Sequence, residues 1–106
     1  MTIYQILTDP NTGLGLPCAY SHFRDDEVPS EPPYLVYMGN GQDNFRADNT
    51  YYKSENTYRI EYYFKEKDEA IEAQIEALLL DNGYLYDKSE DVYIEDEGVF
   101  VIYYTV

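Results

Sequence analysis

Thr57-Tyr58-Arg59-Ile60-Glu61-Tyr62-Tyr63-Phe64-Lys65 alternates strictly, and from Asp68 the alternation gives way to Asp68-Glu69-Ala70-Ile71-Glu72-Ala73-Gln74-Ile75-Glu76-Ala77-Leu78-Leu79-Leu80-Asp81-Asn82-Gly83. In the first stretch Tyr58, Ile60, Tyr62 and Phe64 share one face, with Arg59, Glu61, Tyr63 and Lys65 on the other. Period two with a polar outer side marks a half-buried antiparallel strand. In the second, Ile71, Ile75, Leu78, Leu79 and Asn82 recur at helical spacing. Asp68 suits the N-cap, because its carboxylate can accept from the free amides of the first turn. Glu69 and Glu72 suit the positive end of the helix dipole, and Asn82-Gly83 supplies a left-handed C-cap. A strand followed at once by an amphipathic helix over 68–82 sets the fold class as α+β.

Working outward, Thr2 to Leu7 reads as a short helix, with Ile3, Ile6 and Leu7 at helical spacing. Asp9-Pro10-Asn11-Thr12-Gly13 stops it. Leu16 to Phe23 reads as a strand, and Arg24 to Pro33 as a polar loop. Tyr34 to Met38 is a second strand, closed by turn chemistry in Gly39-Asn40-Gly41-Gln42-Asp43-Asn44. Phe45 to Lys53 fits either a short strand or an extended loop. Beyond the helix, Tyr84 to Tyr86 reads as a brief strand. Val92 to Glu95 and Val99 to Thr105 form a hairpin turning on Glu95-Asp96-Glu97-Gly98. The last strand is apolar or aromatic on both faces, which places it centrally or under cover on both sides. The expected order is α-β-β-β-α-β-β: one domain over 1–106, with a mainly antiparallel sheet of about five strands.

The composition narrows the function. Twenty-one acidic residues stand against seven basic ones in 106 residues, a formal charge of -14. Phosphate binding needs a Lys/Arg footprint, so direct nucleic-acid binding is not expected, nor is binding to anionic membranes. No stretch approaches the length of a membrane helix. The N-terminus lacks the basic and apolar regions of a signal peptide. The expectation is a soluble intracellular protein. The aromatic content is 14 Tyr, four Phe and no Trp, a balance that suits strands and protein interfaces more than a deep apolar core.

The chemical inventory is thin. Cys18 and the lone His22 are four apart, on one face if the strand holds, but no orienting group accompanies them, and Cys18 reads as a small packed hydrophobe. The acidic run Asp87, Glu90, Asp91, Glu95, Asp96, Glu97 lacks the spacing of a calcium loop and reads as a charged hairpin edge. Gly13-Leu14-Gly15 is not a phosphate loop. No catalytic, cofactor-binding or metal-ligating residue is assigned, and no cofactor or enzyme activity is expected. The surplus lies in Tyr51-Tyr52, Tyr62-Tyr63 and Tyr103-Tyr104. On a strand each pair sends one ring inward and one outward, and three such pairs point to a subunit or partner interface.

Several phrases carry a family resemblance: Gly15-Leu16-Pro17-Cys18-Ala19-Tyr20-Ser21-His22-Phe23, Pro32-Pro33-Tyr34-Leu35-Val36-Tyr37, Ala47-Asp48-Asn49-Thr50-Tyr51-Tyr52, Tyr58-Arg59-Ile60-Glu61-Tyr62-Tyr63 and Lys67-Asp68. From Leu16 onward the chain resembles the small tail-completion proteins of long-tailed phages of Gram-positive bacteria, the tail terminator or head-to-tail joining group. The resemblance implies no enzyme activity. It implies a ring-forming subunit, commonly a hexamer, that caps the tail tube and meets tail-tube and head-connector proteins. The location implied is the virion tail, assembled in the cytoplasm of the host bacterium. Phe23, Arg24, Tyr51, Tyr63 and Tyr104 are the candidate contacts to a neighbouring subunit or partner. The alternative reading is an acidic DNA mimic that inhibits a nucleic-acid-binding protein, although the acids are split among the 24–31 loop, the helix flank and the last hairpin.

Overall fold

The computed structural model describes residues 3–9, 14–23, 31–47 and 51–106. Eight elements follow in the order α1 (Ile3–Thr8), β1 (Cys18–Tyr20), β2 (Tyr34–Ala47), β3 (Tyr51–Phe64), α2 (Glu69–Asp81), β4 (Asp87–Lys88), β5 (Val92–Ile94) and β6 (Val99–Thr105). They make a single α+β domain with a mixed six-stranded sheet ordered β1-β2-β3-β6-β4, with β5 also paired to β6. The expected fold class holds. The added parallel pair is β1 on β2, with Cys18 opposite Leu35 and Tyr20 opposite Tyr37.

Helix α2 is built as its sequence dictates. Asp68 accepts hydrogen bonds from the amides of Ala70 (3.0 Å) and Ile71 (3.4 Å). At the other end Gly83 takes φ +84°, which only glycine adopts without strain. The Tyr84 amide then donates to the Leu79 carbonyl at 2.9 Å and the Gly83 amide to Leu80 at 3.1 Å, the paired bonds of a Schellman cap. Ile75, Leu78 and Leu79 are buried. They meet Ile3, Ile6 and Leu7 of α1, and Leu35, Ile60, Tyr62, Phe64, Ile102 and Tyr104 of the sheet, in one core. Each fully buried aliphatic side chain contributes roughly 1.5–3 kcal/mol before conformational entropy is charged. Both helices thus belong to one face of the sheet. Strand β6 lies centrally, with β3 on one edge and β4 and β5 on the other, as its two apolar faces require.

Three boundaries differ from the sequence expectation. The first strand runs only from Cys18 to Tyr20, because Ser21 turns the chain at φ 64°. Tyr84 to Tyr86, expected as a strand, is not one; the strand forms directly after it, where Asp87 and Lys88 pair with Thr105 and Tyr104. The third difference is larger. Gly39 to Asn44 is no turn: β2 continues to Ala47, and the register against β3 slips between Gly39 and Gln42. Glycines inside a strand often mark a bulge, and here Gly39-Asn40-Gly41 marks one. Of the stretch from Phe45 to Lys53, residues 45–47 and 51–53 are therefore strand in the far part of one long hairpin, and residues 48–50 lie outside the described residues. The stop signal at residues 10–13 and the loop residues 24–30 lie outside the described residues.

Beyond the bulge the hairpin leaves the sheet. Strand β6 pairs with β3 from Arg59 to Phe64, closing with mutual amide bonds between Tyr58 and Val106. Strand β1 pairs with β2 only from Leu35 to Tyr37. The rungs Gln42–Asn56 to Ala47–Tyr51 have no third strand beside them among the described residues. They form a two-stranded ribbon reaching about 17–20 Å past the body, and the long axis of the molecule is 51 Å.

Candidate functional site

The sheet face opposite the helices holds the features that the core does not explain. By register, Val36 stands opposite Glu61, Tyr34 opposite Tyr63, Glu61 opposite Tyr103 and Tyr63 opposite Val101. Val36, Val99 and Val101 are buried here although neither helix packs on them. Glu61 is buried as well, at 6% exposure. Its carboxylate accepts from Arg59 Nε at 3.1 Å and from the Tyr63 hydroxyl at 2.5 Å. The Arg59 guanidinium also lies 5.4 Å from the Tyr103 ring centre. Burial raises the pKa of Tyr63, and its bond to the Glu61 carboxylate raises it further, so the phenol stays a donor. A buried carboxyl group needs such hydrogen-bond partners.

At the end of this face farthest from the ribbon, three rings gather. Phe23 meets Tyr34 edge-on at 5.6 Å, and Tyr34 stacks on Tyr63 at 5.0 Å. Together with Ser21, His22, Val36 and Glu97 they line a shallow hollow of about 180 Å³. Burial raises the Tyr34 pKa, with the Glu97 carboxylate adding to it. Glu97 is placed there by the β5–β6 turn, which the Gly98 amide closes on the Ile94 carbonyl at 2.8 Å.

The helix side carries a second network, and it is internal. Glu76 accepts from the hydroxyls of Tyr104 (2.9 Å) and Tyr86 (3.1 Å) and from Lys88 (2.9 Å). Lys88 also reaches Glu72 at 2.9 Å. Lys67 bridges Glu72 (2.8 Å) and Asp91 (3.0 Å). Burial pulls the Glu76 carboxyl upward, but the bonds from Lys88, Tyr104 and Tyr86 outweigh it and hold its pKa below the ordinary value. The network clamps α2 to β4 and β6. A larger hollow of about 390 Å³ lies between Pro32-Pro33 and the start of α2, but its Asp68 is engaged in capping and its Lys67 in ion pairs.

The candidate contacts separate accordingly. Phe23 and Tyr63 come together, bridged by Tyr34. Tyr104 is a correction: it is fully buried, with its hydroxyl on Glu76, and Tyr103 is the outward member of that pair. Arg24 lies outside the described residues, as does the side chain of Tyr51, whose backbone is in the ribbon. Cys18 and His22 do not act together. The strand ends at Tyr20, His22 contacts Ser21 at 3.3 Å, and burial pushes the Cys18 thiol up to about 11, which makes it a poor nucleophile. Among the described residues no cluster of His, Cys, Asp or Glu is arranged to hold a metal ion. The Arg59–Glu61–Tyr63 set was missed from sequence, although opposite charges two apart on the outer face of a strand are a readable sign of a pair.

No helix of the described structure is long and apolar enough to cross a membrane. Comparison of the chain with protein-family models, with curated proteins and with solved structures found no match.

Proposed function

We propose that this chain is a structural assembly subunit of the phage tail-completion type, which forms a ring at the head-proximal end of the tail tube and joins it to the head connector. The observation that carries this reading is the projecting ribbon. A two-stranded hairpin on its own is marginally stable in water, and its open edges are ready to pair with another chain. A chain that extends such a hairpin past a well-built body gains most by burying it against a neighbour. The resemblance supplies the kind of assembly, and the charge of -14 suits a ring through which DNA passes without sticking. The acidic-mimic reading draws no comparable support, because Glu61, Glu72, Glu76 and Asp91 are engaged in internal ion pairs rather than set out as a track.

The test is electron microscopy of tails assembled with and without the protein. Tails of uniform length with an added ring at the head-proximal end, against overlong tails in its absence, support the reading. Normal tails in both preparations remove it.

A further inference from the structure

We infer that the aromatic hollow on the outer sheet face is a docking site for an arginine side chain of a partner protein, held between the Phe23, Tyr34 and Tyr63 rings and the Glu97 carboxylate. The binding belongs to a single copy and does not depend on the ring-forming reading. The hollow measures about 180 Å³, room for the head of one side chain, whereas pockets for drug-sized ligands start at about 300 Å³. Its walls suit a flat cation. Phe23 stands at 89° to Tyr34, and Tyr34 lies within 22° of parallel to Tyr63, so the ring planes meet in a corner. Ring faces carry partial negative charge and attract cations. The buried Val36 adds apolar surface between them.

Glu97 supplies the counter-charge. It is exposed on the β5–β6 turn, and among the described residues its carboxylate has no ion pair and no hydrogen bond. The described cations of the body are occupied or elsewhere. Arg59, Lys67 and Lys88 are bound to other carboxylates, and the exposed Lys65 lines the separate hollow beside α2. A free carboxylate set against tyrosine faces therefore finds its match outside the described body, and the chain's charge of -14 draws basic partners toward it. Arginine fits better than lysine. Its guanidinium is planar and weakly hydrated, and it stacks on aromatic faces while its fork of N–H groups donates to a carboxylate. An ammonium is a compact, strongly hydrated charge, poorly matched to a shallow hollow open to water.

Nuclear magnetic resonance of the full chain, titrated at pH 8 in about 0.1 M salt with N-acetyl-arginine methylamide, tests the site. The uncharged citrulline counterpart serves as the comparison. The arginine probe is expected to move the resonances of Phe23, Tyr34, Tyr63 and Glu97 saturably, with a roughly millimolar Kd, and the citrulline probe to leave them in place. Glu97→Gln and Phe23→Leu, each checked for an unchanged circular dichroism spectrum, should weaken binding about threefold to tenfold. Glu90→Gln, which removes an exposed carboxylate that does not line the hollow, should leave it unchanged. Equal binding of citrulline, no saturable shift at these residues, or equal weakening by Glu90→Gln would overturn the site. Concentration-dependent shifts of the same resonances in the protein alone, abolished by Lys65→Gln, would mean that a second copy fills the hollow and would overturn the partner-arginine assignment.

Discussion

The body and the ribbon are made from the same two strands, yet they are held in different ways. Between Tyr34 and Gly39 on β2, and Tyr58 and Phe64 on β3, the hairpin is flanked by further strands, and its inner face packs into the core shared with α1 and α2. Between Gln42 and Ala47, and Tyr51 and Asn56, the same hairpin has only its own rungs. The boundary is the bulge at Gly39 to Gln42, where the register slips just as the flanking strands end. The comparison teaches that strand length and strand support are separate properties. Backbone pairing lets a hairpin run on, but burial of side chains stabilises it.

The sharpest way to break the comparison is to remove one region and keep the other. Gly39 and Tyr58 are a paired rung, so residues 40–57 can be replaced by a two-residue Asn-Gly hairpin turn. The truncated chain is expected to keep a cooperative thermal unfolding transition and to lose assembly entirely, read by circular dichroism and native mass spectrometry. A truncated chain that does not fold would show that the ribbon supports the body.

Within the body, Leu79→Ala opens a cavity beneath the sheet and is expected to cost about 2–5 kcal/mol in urea unfolding. On the outer face, Glu61→Gln weakens the Arg59 pair and is expected to cost about 1–3 kcal/mol. Arg59 is partly exposed, which keeps the loss below that of a fully buried pair.

These effects track how much of each region the sequence disclosed. The 57–83 stretch was fully legible, because periodicity, N-cap and C-cap all agreed on one answer, and the caps at Asp68 and Gly83 formed as read. The inward or outward turn of Tyr103-Tyr104 was not. Both faces of β6 are apolar, so alternation says that the rings part but not which enters the core. That choice is made by Glu76, twenty-eight residues earlier in the chain. The Gly39-Asn40-Gly41 signal was real but ambiguous, since glycine serves a turn and a bulge equally well, and only the partner strand decides. The Phe23–Tyr34–Tyr63 cluster joins residues from three segments whose adjacency depends on strand order, which local pattern does not encode.

The smallest expected effect is in acid. The folded-state pKa of Glu76 lies below its ordinary value, so its contribution to stability is fully present above the unfolded carboxyl's pKa and is lost as pH falls through the lower folded value. Glu76→Gln should therefore flatten the acid limb of the stability profile below about pH 4.5, measured by urea midpoints at stepped pH. An unchanged limb would mean that the clamp between α2 and β4 adds nothing.

Hydrogen–deuterium exchange, followed residue by residue before and after assembly on tail tubes, bears most directly on the central claim. The account predicts that amides of 42–47 and 51–56 exchange quickly in the free chain and become protected in the assembled state, while those of 58–64 and 99–105 are protected throughout. Ribbon amides as well protected in the free chain as the body's, and unchanged on assembly, would contradict it.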